Sequence, residues 1–148
     1  RGGAPQWAHL RGAALERARA RLPHAEVDGV NWYWPAGEGP AARGDEPDPL
    51  LRLLAPFDPI VWDRRRFELF WGWAYRFEAY TPVRKRIRGY YALPLLWRDR
   101  VLGWANVSAR DGQLSVDPGY VAGCAPRSAA FRSALDAEID RMRSFLSL

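Results

Sequence analysis

Residues 89–118, "GYYALPLLWRDRVLGWANVSARDGQLSVDP", constrain the fold more than any other stretch. Three apolar runs are separated by "RDR" and "RDGQ", both short and polar enough to be tight turns, so the stretch predicts an antiparallel meander over residues 89–117. Pro94 cannot donate to a ladder, which places its strand at an edge or gives it a bulge. A sheet of this kind needs a cover for its apolar face. "PRSAAFRSALDAEIDRMRSFL", ending at Leu146, supplies one: Phe131, Leu135, Ile139, Met142 and Leu146 share a helical face, with Glu138 beside Ile139. Ser128 is placed to cap that helix, and Arg132 to pair with Asp136.

The rest of the chain organises around this sheet. Residues 5–22 predict an amphipathic helix with Trp7, Leu10, Ala14, Ala18 and Leu22 on one stripe, stopped by Pro23. "AEVDGVNWYWP" reads as a hairpin or single strand around an Asp28-Gly29 turn. "PAGEGPAARGDEPDP" has too little large apolar content to form an element and reads as a linker. "LLRLLAPFDPIVWD" predicts a short strand ending at Pro56 and a turn at Asp58-Pro59. A short helix follows from Asp63 to Trp71, with Asp63 as N-cap and Gly72 as C-cap. From Ala74 to Tyr80, alternation of Tyr75, Phe77 and Ala79 with Arg76, Glu78 and Tyr80 predicts a strand. The class is α+β, divided into residues 1–35, a linker over 36–49, and a β-rich part with a closing helix over 50–148.

Composition narrows the function. With 148 residues, 48% of them hydrophobic and 14% aromatic, the chain can bury one compact core. A single Cys124 excludes an internal disulfide and a multi-cysteine zinc site, and with only His9 and His24 besides, no metal constellation is visible. No apolar run reaches the roughly 20 residues of a membrane span, so no membrane contact is expected, and the single cysteine suits a reducing cytoplasm. The net charge of +5 favours phosphate-bearing partners.

That charge concentrates in "YTPVRKRIRGYY". Arg84, Lys85, Arg86 and Arg88 can neutralise several phosphates, and Tyr90 or Tyr91 can stack on a base or sugar. Composition alone favours a solvated turn with both tyrosines in the core, since short basic runs are common on surfaces. "DRRRFE" places three arginines on a short helix where they cannot share a face, so at least one is expected to pair with Asp58, Asp63, Glu68 or Glu78. Arginines 11, 17, 19 and 21 form a polar helix face that meets DNA only within a winged-helix unit. Nothing in the spacing of Glu68 and Glu78, or of Asp58 and Asp63, demands acid–base work. Cys124 has no histidine near it in sequence, His24 needs no more than a capping role, and most tryptophans are expected in the core, though they could line an aromatic pocket.

Residues 53–104 resemble the C-terminal part of the bacterial winged-helix DNA glycosylases that unhook interstrand cross-links, the YcaQ-like family. The matching pieces are "PFDP" with "WDR", "YRFEAYTP", "KR" with "GYYALP", and "DRVLG". Residues 5–34 are compatible with the end of the family's last winged-helix unit. The resemblance implies a monomeric enzyme without metal or cofactor that binds double-stranded DNA and hydrolyses the N-glycosidic bond of alkylated, N7-substituted purines. Its catalytic centre is a Gln-aliphatic-Gln or Gln-aliphatic-Asp motif in an N-terminal region. Here only Gln6 and Gln113 occur, neither in such a motif, and the chain starts at Arg1. The expectation is therefore a fragment inactive alone, with no catalytic residue of its own and with the basic stretch as DNA contact. After "DRVLG" the family usually continues with Arg, Asp and Lys on the same strand; this chain reads Trp104, Ala105, Asn106, Val107, Ser108, which puts that strand's contacts in doubt. A non-enzymatic DNA-binding regulator and an aromatic-pocket interaction module are the alternatives.

Overall fold

The computed structural model describes residues 11–40 and 46–148, and the chain divides into two compact units, Arg1–Glu46 and Pro47–Leu148. The class is α+β. In the first unit, helix α1 (Arg11–Arg21) leads into strands β1 (His24–Val27) and β2 (Val30–Tyr33), a hairpin in register from His24 opposite Tyr33 to Val27 opposite Val30. Asp28 and Gly29 turn it with φ of 52° and 73°. Two successive left-handed residues match the strand twist, which is why an Asp-Gly pair sits there. Trp7 and Leu10 of the predicted helix stripe lie outside the described residues.

The second unit holds β3 (Leu51–Leu53), α2 (Pro59–Trp62), α3 (Arg64–Trp71), β4 (Ala92–Trp97), β5 (Arg100–Arg110), β6 (Gln113–Tyr120) and α4 (Ala129–Leu146). Its sheet is antiparallel in the order β3-β4-β5-β6. The meander turns where expected, at Arg98-Asp99 and at Asp111-Gly112, the latter with φ of 51° and 72°. Pro94 lies inside the sheet, not at its edge, and the register shifts between Leu95 and Leu96. Its carbonyl accepts from Leu54 N at 2.9 Å. A residue's N and O point to the same side of a strand, so the missing Pro94 donor faces Leu54, just past the end of β3, and only the last rung of that ladder goes without its second bond.

Alternation sends side chains to two cores. Leu51, Leu95 and Phe131, with Leu102, Trp97, Tyr120 and Leu135 against them, form the core under α4. On the opposite side Leu54, Val61, Phe67, Trp73, Tyr75 and Val101 pack with Trp71, Phe77 and Leu96. Phe67 sits edge-on to Trp71 and Trp73 at 4.7 and 5.0 Å. Helix α4 starts at its expected cap, Ser128, whose hydroxyl accepts from Phe131 N at 3.0 Å. Arg132 donates to the Arg127 carbonyl instead of pairing with Asp136.

One contact of α4 escaped the sequence pattern. Glu138, only 7% exposed, accepts from Leu53 N at 2.7 Å and is paired with Arg141, which in turn donates to Leu51 O at 2.8 Å. These are the outward backbone groups of the edge strand β3. An unpaired edge is a template for another chain, and here one ion pair occupies both its donor and its acceptor.

Candidate nucleic-acid interface

The basic stretch belongs to a loop whose shape is set by a buried carboxylate. Residues 74–80 are not a strand: the segment is irregular and ends in a turn with Thr81 N bonded to Glu78 O at 2.9 Å. Its apparent alternation fails because Tyr75 and Glu78, three apart, are both buried while Arg76 and Tyr80 are exposed. Tyr75 reaches through the core to donate to Ala92 O at 2.8 Å, and burial pushes its phenol well above the ordinary range. Glu78 Oε2 accepts from three successive amides, Ile87, Arg88 and Gly89, at 2.9, 2.7 and 3.1 Å. Burial penalises this carboxylate, yet the three amides and the Arg88 guanidinium outweigh it, so the group titrates below its usual value.

Further bonds fix the loop from within. Pro82 starts a 3-10 turn over Val83–Lys85, closed by Lys85 N to Pro82 O at 2.8 Å. Arg86 Nε donates to Thr81 O at 2.8 Å. Gly89 adopts φ of 125°, and a Cβ there would collide with Asn106, whose Nδ2 donates to Arg88 O at 2.6 Å. Asn106 on the departing strand thus holds the loop's second end.

The four cations end up in different roles. Arg84 and Lys85 are exposed and make no ion pair or side-chain hydrogen bond among the described residues. Arg86 is tied to Thr81 and lies over the Tyr90 ring at 4.9 Å. Arg88 rests over both Trp73 and Trp104, at 5.1 and 5.3 Å, with the two rings 6.3 Å apart and tilted by 50°. These lengths seat the guanidinium in a notch between the rings, with its buried Nε unpartnered among the described residues. Trp104 can lie there because its cross-strand partner is Gly119, where a Cβ would strike the indole. Both tyrosines face outward: Tyr90 is 60% exposed and Tyr91 42%, the latter edge-on to Phe77 at 5.5 Å.

Other candidates resolve into structure. Asp58 and Asp63 cap α2 and α3, accepting from Ile60 N and from Arg65 N and Arg66 N. The expected carboxylate partner for Arg64, Arg65 or Arg66 is absent among the described residues; Arg66 donates to Pro59 O. Cys124 is exposed. Of the tryptophans in the second unit Trp73 is buried, Trp71 and Trp97 pack half-buried against the two cores, and Trp62 is 60% exposed. Gln113 opens β6, and Gln6 lies outside the described residues. No group of three potential metal ligands occurs among the described residues, and none of their helices is long and apolar enough to cross a membrane.

The family model described as DNA glycosylase AlkZ-like matches residues 2–145. The chain belongs to the AlkZ-like DNA glycosylase family. No solved structure matches it. Membership in the AlkZ-like family assigns the chain to DNA-repair glycosylases and implies that it binds DNA.

Proposed function

We propose that this chain is the DNA-binding C-terminal portion of a winged-helix AlkZ-like glycosylase that excises alkylated or cross-linked purines. On this reading it works as a monomer on double-stranded DNA. The first unit, a helix followed by a hairpin, is the end of a winged-helix unit, and the Gln-containing catalytic motif belongs to an N-terminal region. The chain's own task is to grip backbone and brace the catalytic module. Arg84, Lys85, Arg86 and Arg88 supply the charge, and Tyr90 and Tyr91 lie beside them.

The observation that carries this reading is the loop itself. Its backbone is held by Glu78, Thr81 and Asn106, while Arg84 and Lys85 have no competing partner among the described residues. A cation on a fixed base binds phosphate without the cost of ordering the backbone, and each phosphate neutralised steepens the salt dependence by about 0.9.

Arg84→Glu with Lys85→Glu is the cleanest test, because neither side chain supports the fold. The double variant should bind duplex DNA at least about tenfold more weakly at low salt, with a log–log salt slope flatter by roughly 2. Unchanged affinity and slope would sink the proposal.

A further inference from the structure

An aromatic ridge runs away from both ends of the basic loop. Phe77 contacts Tyr80 at 6.2 Å and Tyr91 at 5.5 Å, and it meets Phe57 at 6.4 Å, which in turn touches Trp62 at 5.9 Å. Four of the five are far from buried: Tyr80 is 88% exposed, Phe57 67%, Trp62 60% and Tyr91 42%. Their mutual contacts are edge-on or tilted, with interplanar angles of 54–81°, so the outer rings are not stacked face to face on one another. A continuous exposed aromatic surface of this kind marks a binding site.

We infer that this ridge is a stacking platform for unpaired DNA bases, placed beside the phosphate-gripping loop. The inference rests on the DNA-binding reading above and adds a preference among DNA structures. Charge complementarity selects the occupant: Tyr80 and Tyr91 bracket the segment that carries Arg84 and Lys85, so a strand held by those cations runs past the rings. Intact duplex hides its base faces in the stack and offers aromatic side chains only edges and backbone. Unpaired bases expose their faces, and rings interleaved with cations are the surface such strands recognise. Glycosylases act on sites where pairing is already weakened, which is where such bases occur.

The test uses the full chain with a short labelled duplex, and with the same duplex carrying a central run of unpaired thymines, titrated at two salt concentrations. The unpaired form should bind about tenfold tighter, the worth of one stacked base. Phe57→Ala with Trp62→Ala, both exposed, should erase that preference while leaving intact-duplex affinity and salt slope unchanged. Arg84→Glu with Lys85→Glu should weaken both forms alike. Equal affinity of the wild-type chain for the two forms overturns the platform but leaves duplex gripping intact. So does a preference that survives the aromatic double variant, or a change in self-association as its only effect, which would assign the ridge to a protein partner. Failure to bind either form overturns both readings together.

Discussion

Glu78→Gln is the substitution that best separates a pinned loop from a merely basic one. Glutamine keeps the size of the side chain and leaves an oxygen able to face the amides of Ile87, Arg88 and Gly89, but removes the charge. A hydrogen bond to a charged acceptor contributes about 1.5–3 kcal/mol and a neutral one about 0.5–1.5 kcal/mol, so each bond weakens by on the order of 1 kcal/mol. All three converge on one oxygen, whose acceptor capacity they share, which brings the loss to about 2 kcal/mol. In a unit of roughly 100 residues that lowers Tm by ~10 °C at neutral pH. The pH dependence is the sharper part. The folded-state pKa lies below the ordinary value of 4.5, so the carboxylate's contribution is complete above that value and is lost as pH falls through the depressed one. The gap in Tm between wild type and variant, followed by circular dichroism from pH 7 downward, should therefore close in acid. Duplex affinity should drop with it, because a released loop has to be ordered on binding. Equal Tm at pH 7, or a gap that persists undiminished in acid, would refute the reasoning. Glu68→Gln, on the exposed side of α3, is the control and should change nothing.

Glu138→Ala removes the acceptor of Leu53 N and leaves Arg141 with the Leu51 carbonyl alone; urea denaturation should show a loss of about 1–3 kcal/mol, and light scattering an increase in concentration-dependent association. Gly103→Ala adds a Cβ that collides with the Gly119 carbonyl and approaches the Tyr120 Cα across the β5–β6 pair. Because the obstruction is backbone, the expected cost is about 3 kcal/mol or more, read as a lower midpoint in the same assay.

Local signals made much of the second unit legible. The meander, the Asp63 and Gly72 caps of α3 and the Ser128 cap of α4 rest on interactions within a few residues, where sequence spacing and physical contact are the same thing. Residues 74–80 misled because alternation of apolar and polar types over seven positions also arises when two buried groups fall three apart. Glu78 finds its partners nine to eleven residues away, Glu138 finds Leu53 from 85 residues away, and neither spacing carries a pattern. A carboxylate set among aromatics in "YRFEAY", followed by a glycine nine residues past Tyr80, is the only trace of the first. The basic stretch was visible as charge, but its division into two held cations and two without a side-chain partner among the described residues depends on Tyr90, Trp73 and Trp104, which only the fold brings near.

The nest of amides over residues 87–89 has a consequence for any anion that approaches. Three successive N–H groups are the means by which a backbone captures phosphate, and in this protein the Glu78 carboxylate already fills them as a built-in counter-anion. These three amides are thereby closed to phosphate, and on the proposed reading the loop meets DNA through its long side chains. Arginine and lysine heads on a stiff base tolerate small shifts of the strand they hold. Such a grip follows the path of a backbone regardless of the bases attached to it.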